Sequence, residues 1–172
     1  KIFVVEPSLK AIEETQKLVE EIGKNKTIEI KYFKSVSQIK LLKNIRLAII
    51  ATNSFERLNI LKELLGLNVK TFLLEKILFS SIKSLTLAKK LIDQKNATAY
   101  VNYCYRYTFP FKKIRHQVSA NKINIIVELG KTGLITNLPH WIDIFSTLTG
   151  EKILYFKIKK NYKIFDSKRG RP

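Results

Sequence analysis

The sequence predicts an α/β protein built around a parallel sheet. Short apolar runs at residues 2–5, 47–51 and 69–74 alternate with amphipathic segments of helical period. Strands alternating with helices in this way imply right-handed βαβ units. The alternation holds to about residue 107 and then breaks, so part of a second α/β domain is expected beyond it. A length of 172 residues suits one full domain or parts of two.

The elements follow in order. Residues 1–6 read as a short buried strand, because Ile2, Phe3, Val4 and Val5 run without a polar break. Pro7 and Ser8 open a helix in which Leu9, Ile12, Val19 and Ile22 recur at helical spacing, and Gly23 stands where a C-terminal cap belongs. Over residues 27–33, Ile28, Ile30 and Tyr32 alternate with Glu29 and Lys31, the period of a strand. Residues 35–43 read as a short helix, and 47–51 as a buried strand ended by Thr52-Asn53. Residues 54–65 form the next helix, with Phe55, Leu58, Leu61 and Leu65 on one side and Gly66 after it. A third buried strand at 69–74 ends in Glu75-Lys76. Residues 80–93 are helical, with Ile82, Leu85, Ala88 and Leu91 or Ile92 facing in.

Residues 97–107 alternate as a strand that places Ala99, Val101, Tyr103, Tyr105 and Tyr107 on one face. A helix at 109–118, a strand at 123–128 and a loop over 130–138 come next. Residues 139–148 read as a helix with Pro139 in its first turn and Gly150 past its end. The segment 153–165 is basic and strand-like.

Composition excludes several classes. Hydrophobic residues make up 45% of the chain, enough for a packed core. A single cysteine, Cys104, rules out an intramolecular disulfide framework and suits a reducing cytoplasm. No apolar run approaches the ~18 residues of a membrane span, and no Cys/His cluster has zinc-ligand spacing, so neither a membrane nor a metal is expected. Methionine is absent and the chain starts directly on a strand-like segment, which predicts a missing true N-terminus.

The net charge of +18 suggests a polyanion partner, but the kind of base argues against it. Arginine occurs only at positions 46, 57, 106, 115, 169 and 171, leaving lysine to supply the rest. Bidentate reading of phosphate and guanine favours arginine. The charge is also uneven: residues 1–30 carry a net −1, whereas 151–172 carry +6. The tail at 157–171 is the densest basic stretch, readable as a polyanion contact or as a charged strand edge that resists pairing. Nucleic acid is therefore not the expected partner.

In an open parallel sheet, ligands bind beyond the carboxyl ends of the strands. Glu6-Pro7, Thr52-Asn53, Glu75-Lys76 and Arg106 fall there. An acid at the end of the second strand of a dinucleotide fold hydrogen-bonds the ribose; Glu6 holds that place if one strand precedes it, and otherwise reads as an ordinary acid before a helix. Lys76 follows an apolar run directly, where an ammonium can steady a developing alkoxide; it is also one lysine among many. His140 shares a helix with Trp141 and Asp143, and its near-neutral pKa suits proton exchange with a hydroxyl; alone it equally reads as a helix N-terminal histidine. His116, among lysines and arginines, reads as an ordinary surface residue.

In order along the chain stand LAIIATN at 47–53, FLLEKI at 72–77, VNYCYRY at 101–107 and GLITNLPHWIDIFSTLTGE at 133–151. This ordered set resembles the Gfo/Idh/MocA family of NAD(P)-dependent oxidoreductases across nearly the whole chain. The family pattern is a strand ending in Ala-Thr, a strand ending in Glu-Lys-Pro, a Tyr-Arg-Phe-like triplet, and a His-x-x-Asp motif before a Gly-Glu ending. The resemblance implies an incomplete Rossmann domain over 1–107, its first strand missing, then a partial C-terminal α/β substrate and oligomerisation domain over 108–172.

The resemblance implies that Lys76 and His140 are the catalytic residues. Glu6, Thr52, Asn53, Glu75 and Arg106 would lie along the cofactor, NAD rather than NADP because the Glu6 carboxylate repels a 2′-phosphate. Asn137 and Asp143 would stand on the substrate side, Asp143 chiefly anchoring its helix. Three departures stand out. Ile77 replaces the proline after the lysine, Thr136 replaces an acid four residues before the histidine, and the Gly-rich turn with its strand is absent. In the strand order 3-2-1-4-5-6 of a Rossmann domain the missing strand would lie at the sheet's centre, between the strands at 1–6 and 46–51.

The expected activity is hydride transfer between nicotinamide and a sugar or nucleotide-sugar hydroxyl or carbonyl, in surface-polysaccharide metabolism, by a cytoplasmic homo-oligomer. The alternative is a non-catalytic degenerate member of the family, or a basic domain that binds nucleic acid or another polyanion.

Overall fold

The computed structural model describes residues 1–22, 28–42, 44–118, 126–127 and 134–150, with the side chains of 116, 134 and 135 left aside. The chain forms β1 (Ile2–Val5), α1 (Leu9–Ile22), β2 (Ile30–Phe33), a 3₁₀ turn at Val36–Ile39, β3 (Ala48–Ile50), α2 (Arg57–Gly66), β4 (Thr71–Leu74) and α3 (Ile82–Gln94). After β5 (Thr98–Val101) come a 3₁₀ turn at Cys104–Tyr107, α4 (Phe109–Val118) and α5 (Leu134–Thr149). Contacts divide it into two compact units: residues 1–74 with 78–100, and residues 75–77 with 101–172.

The first unit holds the strands, in two sheets. β1 pairs parallel with β2, Ile2 opposite Ile30 and Val5 opposite Phe33. β3 pairs parallel with β4, Ile50 opposite Leu74, and the second sheet runs in the order β3-β4-β5. The parallel α/β architecture predicted from the sequence is therefore present. The strands thus fall into a two-stranded and a three-stranded sheet.

The core lies on one face of the three-stranded sheet. Ile50, Phe72 and Leu74 from the strands meet Leu61, Leu64 and Leu65 of α2, Ala88 of α3, and Val69 and Phe79 from the connections. Leu61 and Leu65 are one helical turn apart with Leu64 beside them, so they form a single apolar stripe over the sheet. Each fully buried Leu or Phe contributes about 1.5–3 kcal/mol of transfer free energy.

Burial departs from the sequence expectation where an apolar run was read as buried on both faces. In β3, Ile50 is buried but Ile49 is 64% exposed, and Leu47 before it is 51% exposed. Successive side chains point to opposite faces of a sheet, and only the Ile50 face is packed by the core residues named above. Ile2 is exposed for a related reason: β1 belongs to a sheet of two strands only.

In α1, Ile12 is buried while Leu9 and Ile22 are exposed. Leu18, well inside the helix, is exposed as well, so the exposure is not confined to the helix ends. Helix α2 begins at Arg57, three residues later than read from the sequence, because Asn53 Oδ1 accepts from the backbone N–H groups of Phe55 and Glu56 at 3.1 Å each and holds that stretch as a turn. Phe55 is therefore exposed rather than part of the helix stripe. Helix α3 begins at Ile82, which is exposed at its first position, and Ser81 caps it by accepting from Ser84 N at 3.1 Å.

The second unit contains the 3₁₀ turn at Cys104–Tyr107, α4 and α5. Here the predicted strand over 97–107 is cut short at Val101. Tyr103 N donates to Val101 O at 2.9 Å, a tight three-residue turn, and the chain then winds into 3₁₀ geometry. Helix α5 starts at Leu134, so residues 134–138 are helical rather than a loop and Pro139 lies inside the helix, not in its first turn. Gly150 follows the helix with φ +72° and its N–H donates to Ser146 O at 3.0 Å, the C-terminal position the sequence assigned to it. Of the strand expected at 123–128, residues 126–127 are described and are not in a strand. The cap expected at Gly23 and the basic segment at 153–165 lie outside the described residues.

Candidate active site

The residues of the second unit include most of the polar groups singled out in the sequence. Glu75 and Lys76 follow β4 directly, and the Lys76–Ile77 peptide is cis. Both side chains are half-buried. Lys76 Nζ donates to the main-chain oxygen of Thr136 at 2.9 Å. Thr136 lies in the first turn of α5, one turn before His140, so this bond fixes the ammonium beside the helix that carries the histidine. Asn102 Nδ2 donates to the Glu75 carboxylate and ties it to the segment after β5.

His140 is 5% exposed, and its Nδ1 is buried with no hydrogen-bond partner among the described residues. The Tyr105 ring stacks on the imidazole at 4.3 Å and 15°, and Tyr103 meets it edge-on at 6.0 Å. Burial pushes the His140 pKa below its ordinary 6.5; the Lys76 ammonium pushes the same way and the Glu75 carboxylate opposes them. The imidazole is thus held neutral near pH 7, the form that can accept a proton. Burial also raises the Tyr103 pKa, against the pull of the Arg106 charge, so the phenol stays protonated.

Arg106 and Asp143 pair with one another. Arg106 Nε donates to Asp143 Oδ2 at 2.7 Å, and Nη2 meets Oδ1. A bidentate Arg–carboxylate pair fixes geometry as well as charge, and with Asp143 buried it pins the Cys104–Tyr107 turn to α5. Arg106 stands on a 3₁₀ turn rather than at a strand end, because the strand stops at Val101. Asn137 is half-buried and donates to Thr136 Oγ1 at 3.4 Å.

The first unit carries the other residues. Glu6 stands after β1, and its Oε1 accepts from Ser8 N at 2.8 Å, capping the start of α1. Asn53 caps the turn before α2, as described above, and its Nδ2 donates to Glu56 Oε2 at 3.3 Å. Sequence reading missed Arg57. Its side chain is 2% exposed, and it donates from Nη1 to Leu78 O at 2.8 Å and from Nη2 to Thr52 O. It thereby bridges the carboxyl-end connections of β3 and β4. The available signal was its type: in a chain that uses lysine almost everywhere, the planar guanidinium appears where one side chain must meet two acceptors.

His140 also makes stability pH-dependent. Its folded pKa is lowered, so below the unfolded value near 6.5 the unfolded chain takes up a proton that the folded unit refuses. Stability should therefore fall as the pH drops from about 6.5 toward the folded pKa, and level off below it. His140→Asn should flatten that part of a urea-midpoint profile; a slope unchanged by the substitution contradicts the assignment.

The fold defines the class: the chain has the fold of the Gfo/Idh/MocA-type oxidoreductases. Apo scyllo-inositol dehydrogenase from Lactobacillus casei superimposes with a TM-score of 0.65 at 15% identity, over 87% of this chain and 47% of that one. GenD2 from gentamicin A biosynthesis, in complex with NAD, gives 0.56 at 13% identity over 69% of this chain and 31% of GenD2. A super-repressor mutant of Gal80p from Saccharomyces cerevisiae gives 0.63 at 16% identity, over 86% and 44%. The chain thus spans less than half the length of each of these three structures. No protein-family model and no curated protein matches the sequence. Among the described residues, no helix is long and apolar enough to cross a membrane, and no group of three or more His, Cys, Asp or Glu could hold a metal ion.

Proposed function

We propose that the protein is an NAD-dependent oxidoreductase of the Gfo/Idh/MocA type. Its substrate is a sugar or nucleotide sugar, in surface-polysaccharide metabolism, and it works as a cytoplasmic homo-oligomer. The observation that carries this reading is the Lys76 ammonium, fixed to the Thr136 carbonyl one turn before the buried, neutral His140.

When bound, the nicotinamide takes up or returns the hydride. The chain's own residues supply the rest. His140, neutral near pH 7, accepts the proton of the substrate hydroxyl in oxidation and returns it in reduction. An ammonium has three N–H donors; Lys76 uses one on Thr136, and another can donate to the substrate oxygen and stabilise the alkoxide character that develops there. The Arg106–Asp143 pair and the Asn102–Glu75 bond keep the turn, α5 and the segment at 75–77 in register.

The fit to the dinucleotide is partial. Glu6 uses one carboxylate oxygen on Ser8 and has a second to accept from a ribose diol. Among the described residues the glycines are Gly66 at the end of α2 and Gly150 after α5, so none follows a strand to make a pyrophosphate cradle. The natural protein should bind NAD more tightly than NADP, and Glu6→Ser should narrow that preference about tenfold, roughly one charge interaction at a partly exposed site. Tighter binding of NADP by the wild type would sink the NAD assignment.

A second reading has specific support. The net charge is +18, and one protein of this fold is a repressor by name. Fold alone does not carry activity, so a non-catalytic protein that binds a polyanion is the competing reading. It requires DNA binding that weakens steeply with salt, without dinucleotide binding.

A further inference from the structure

We propose that Tyr105 is the positioning residue of His140: its ring sets the plane of the imidazole and closes one face of it to water.

Three observations in the second unit meet at this point. Tyr105 and His140 are stacked, 4.3 Å apart and within 15° of parallel, whereas Tyr103 touches the imidazole only edge-on. The tyrosine is itself confined. Its ring also meets the edge of Trp141 at 6.1 Å, and Trp141 is in turn met by Phe111 of α4 at 6.3 Å. The next residue, Arg106, grips Asp143, which lies three positions after His140 on α5. Residues three apart share a helix face, so the turn docks on α5 at two adjacent points, a ring on a ring and a fork on a carboxylate. Neither contact leaves the stack freedom to slide.

The consequence follows from the surroundings of the histidine's Nδ1. A histidine that relays protons is ordinarily oriented by a hydrogen bond to its second nitrogen. Here Nδ1 is buried without a hydrogen-bond partner among the described residues, on a side chain 5% exposed. Among the described residues, the Tyr105 stack is the face-on contact that fixes the ring plane. The charged groups around the imidazole are Lys76 and Glu75 from the segment after β4 and the Arg106–Asp143 pair from the turn and α5; Tyr103 and Tyr105 are the titratable rings that meet it, the turn's Cys104 and Tyr107 are exposed, and α4 reaches the cluster through Phe111. Lys76 repels a proton on His140 whether or not the tyrosine is present. The tyrosine's own part is exclusion of water, which disfavours the charged imidazolium.

The test uses the 172-residue chain and ¹H NMR, since only two histidines are present and His116→Gln identifies the other signal. In the wild type, the His140 ring protons should be displaced upfield by the Tyr105 ring current and should titrate below 6.5. Tyr105→Phe should preserve both properties. Tyr105→Leu, smaller and without a flat ring to cover the imidazole face, should abolish the displacement, admit water there and move the midpoint up toward 6.5. An undisplaced His140 signal in the wild type overturns the proposal without any variant, and so does a Tyr105→Leu midpoint equal to that of the wild type. In turnover, Tyr105→Leu should move the acidic limb of the kcat/KM profile upward, while Tyr105→Phe leaves it in place. That last readout alone rests on the oxidoreductase reading. The expected NMR behaviour with no turnover by the natural protein would refute that reading and leave the role of Tyr105 standing.

Discussion

Replacing His140 by Asn should lower kcat/KM about 10²–10⁴-fold, the range that a positioned proton-transfer group contributes. Asn is polar and shorter, and it cannot take up the hydroxyl proton at any working pH. The loss should appear mainly in kcat, because the proton moves in the chemical step and not on binding. Lys76→Met keeps the apolar stem and removes only the ammonium. It should lose about 10²–10³-fold, the scale for one donor to a developing oxyanion. Lys76→Arg should not restore turnover, because a planar guanidinium cannot replace a compact ammonium held on a single carbonyl oxygen. The double variant should be little worse than the poorer single one, since the two groups act on the same oxygen and proton. Thermal melting of each variant separates lost chemistry from lost fold.

Arg57→Ala should destabilise the protein by about 3 kcal/mol, the sum of two hydrogen bonds from a charged donor at ~1.5 kcal/mol each. Relief of the buried guanidinium's desolvation offsets part of the loss, and the cavity left by a side chain that is 2% exposed adds to it. The carbonyls of Thr52 and Leu78 are left without this donor, so the effect falls on the connections after β3 and β4. Arg57→Lys is the informative control. It retains the charge but presents a point donor that cannot span both oxygens, so most of the loss should remain. The readout is the urea midpoint at constant m-value. A destabilisation below 1 kcal/mol in Arg57→Ala would show that the bridge contributes little.

How far the sequence exposed these features depends on the kind of information each one needs. The βαβ alternation was legible because it rests on local periodicity, and β1, β3 and β4 fall inside the predicted runs. The pairing of Lys76 with α5 was legible only through the ordered motifs, since 60 residues separate Lys76 from Thr136. Tyr105 was misplaced on a strand because tyrosines two apart satisfy strand period equally well before a tight turn; the Tyr103–Val101 hydrogen bond that ends the strand is a backbone property with no side-chain signature. Ile49 was read as buried because an apolar run cannot report which face of its sheet is covered. Arg57 was passed over because a charged residue in a helix is ordinarily solvated; only its rarity in a lysine-rich chain marked it. The first turns of α5 were read as loop because Pro139 is common at a helix start, whereas here it lies within the helix.

The most direct test of the central claim is NAD-linked turnover by the natural protein against a panel of sugars and nucleotide sugars, followed as NADH absorbance. The proposed function predicts NADH formation with at least one of them, lost in both Lys76→Met and His140→Asn. Turnover that survives both substitutions contradicts the site. Absence of dinucleotide binding, together with DNA binding that falls steeply with salt, contradicts the function itself.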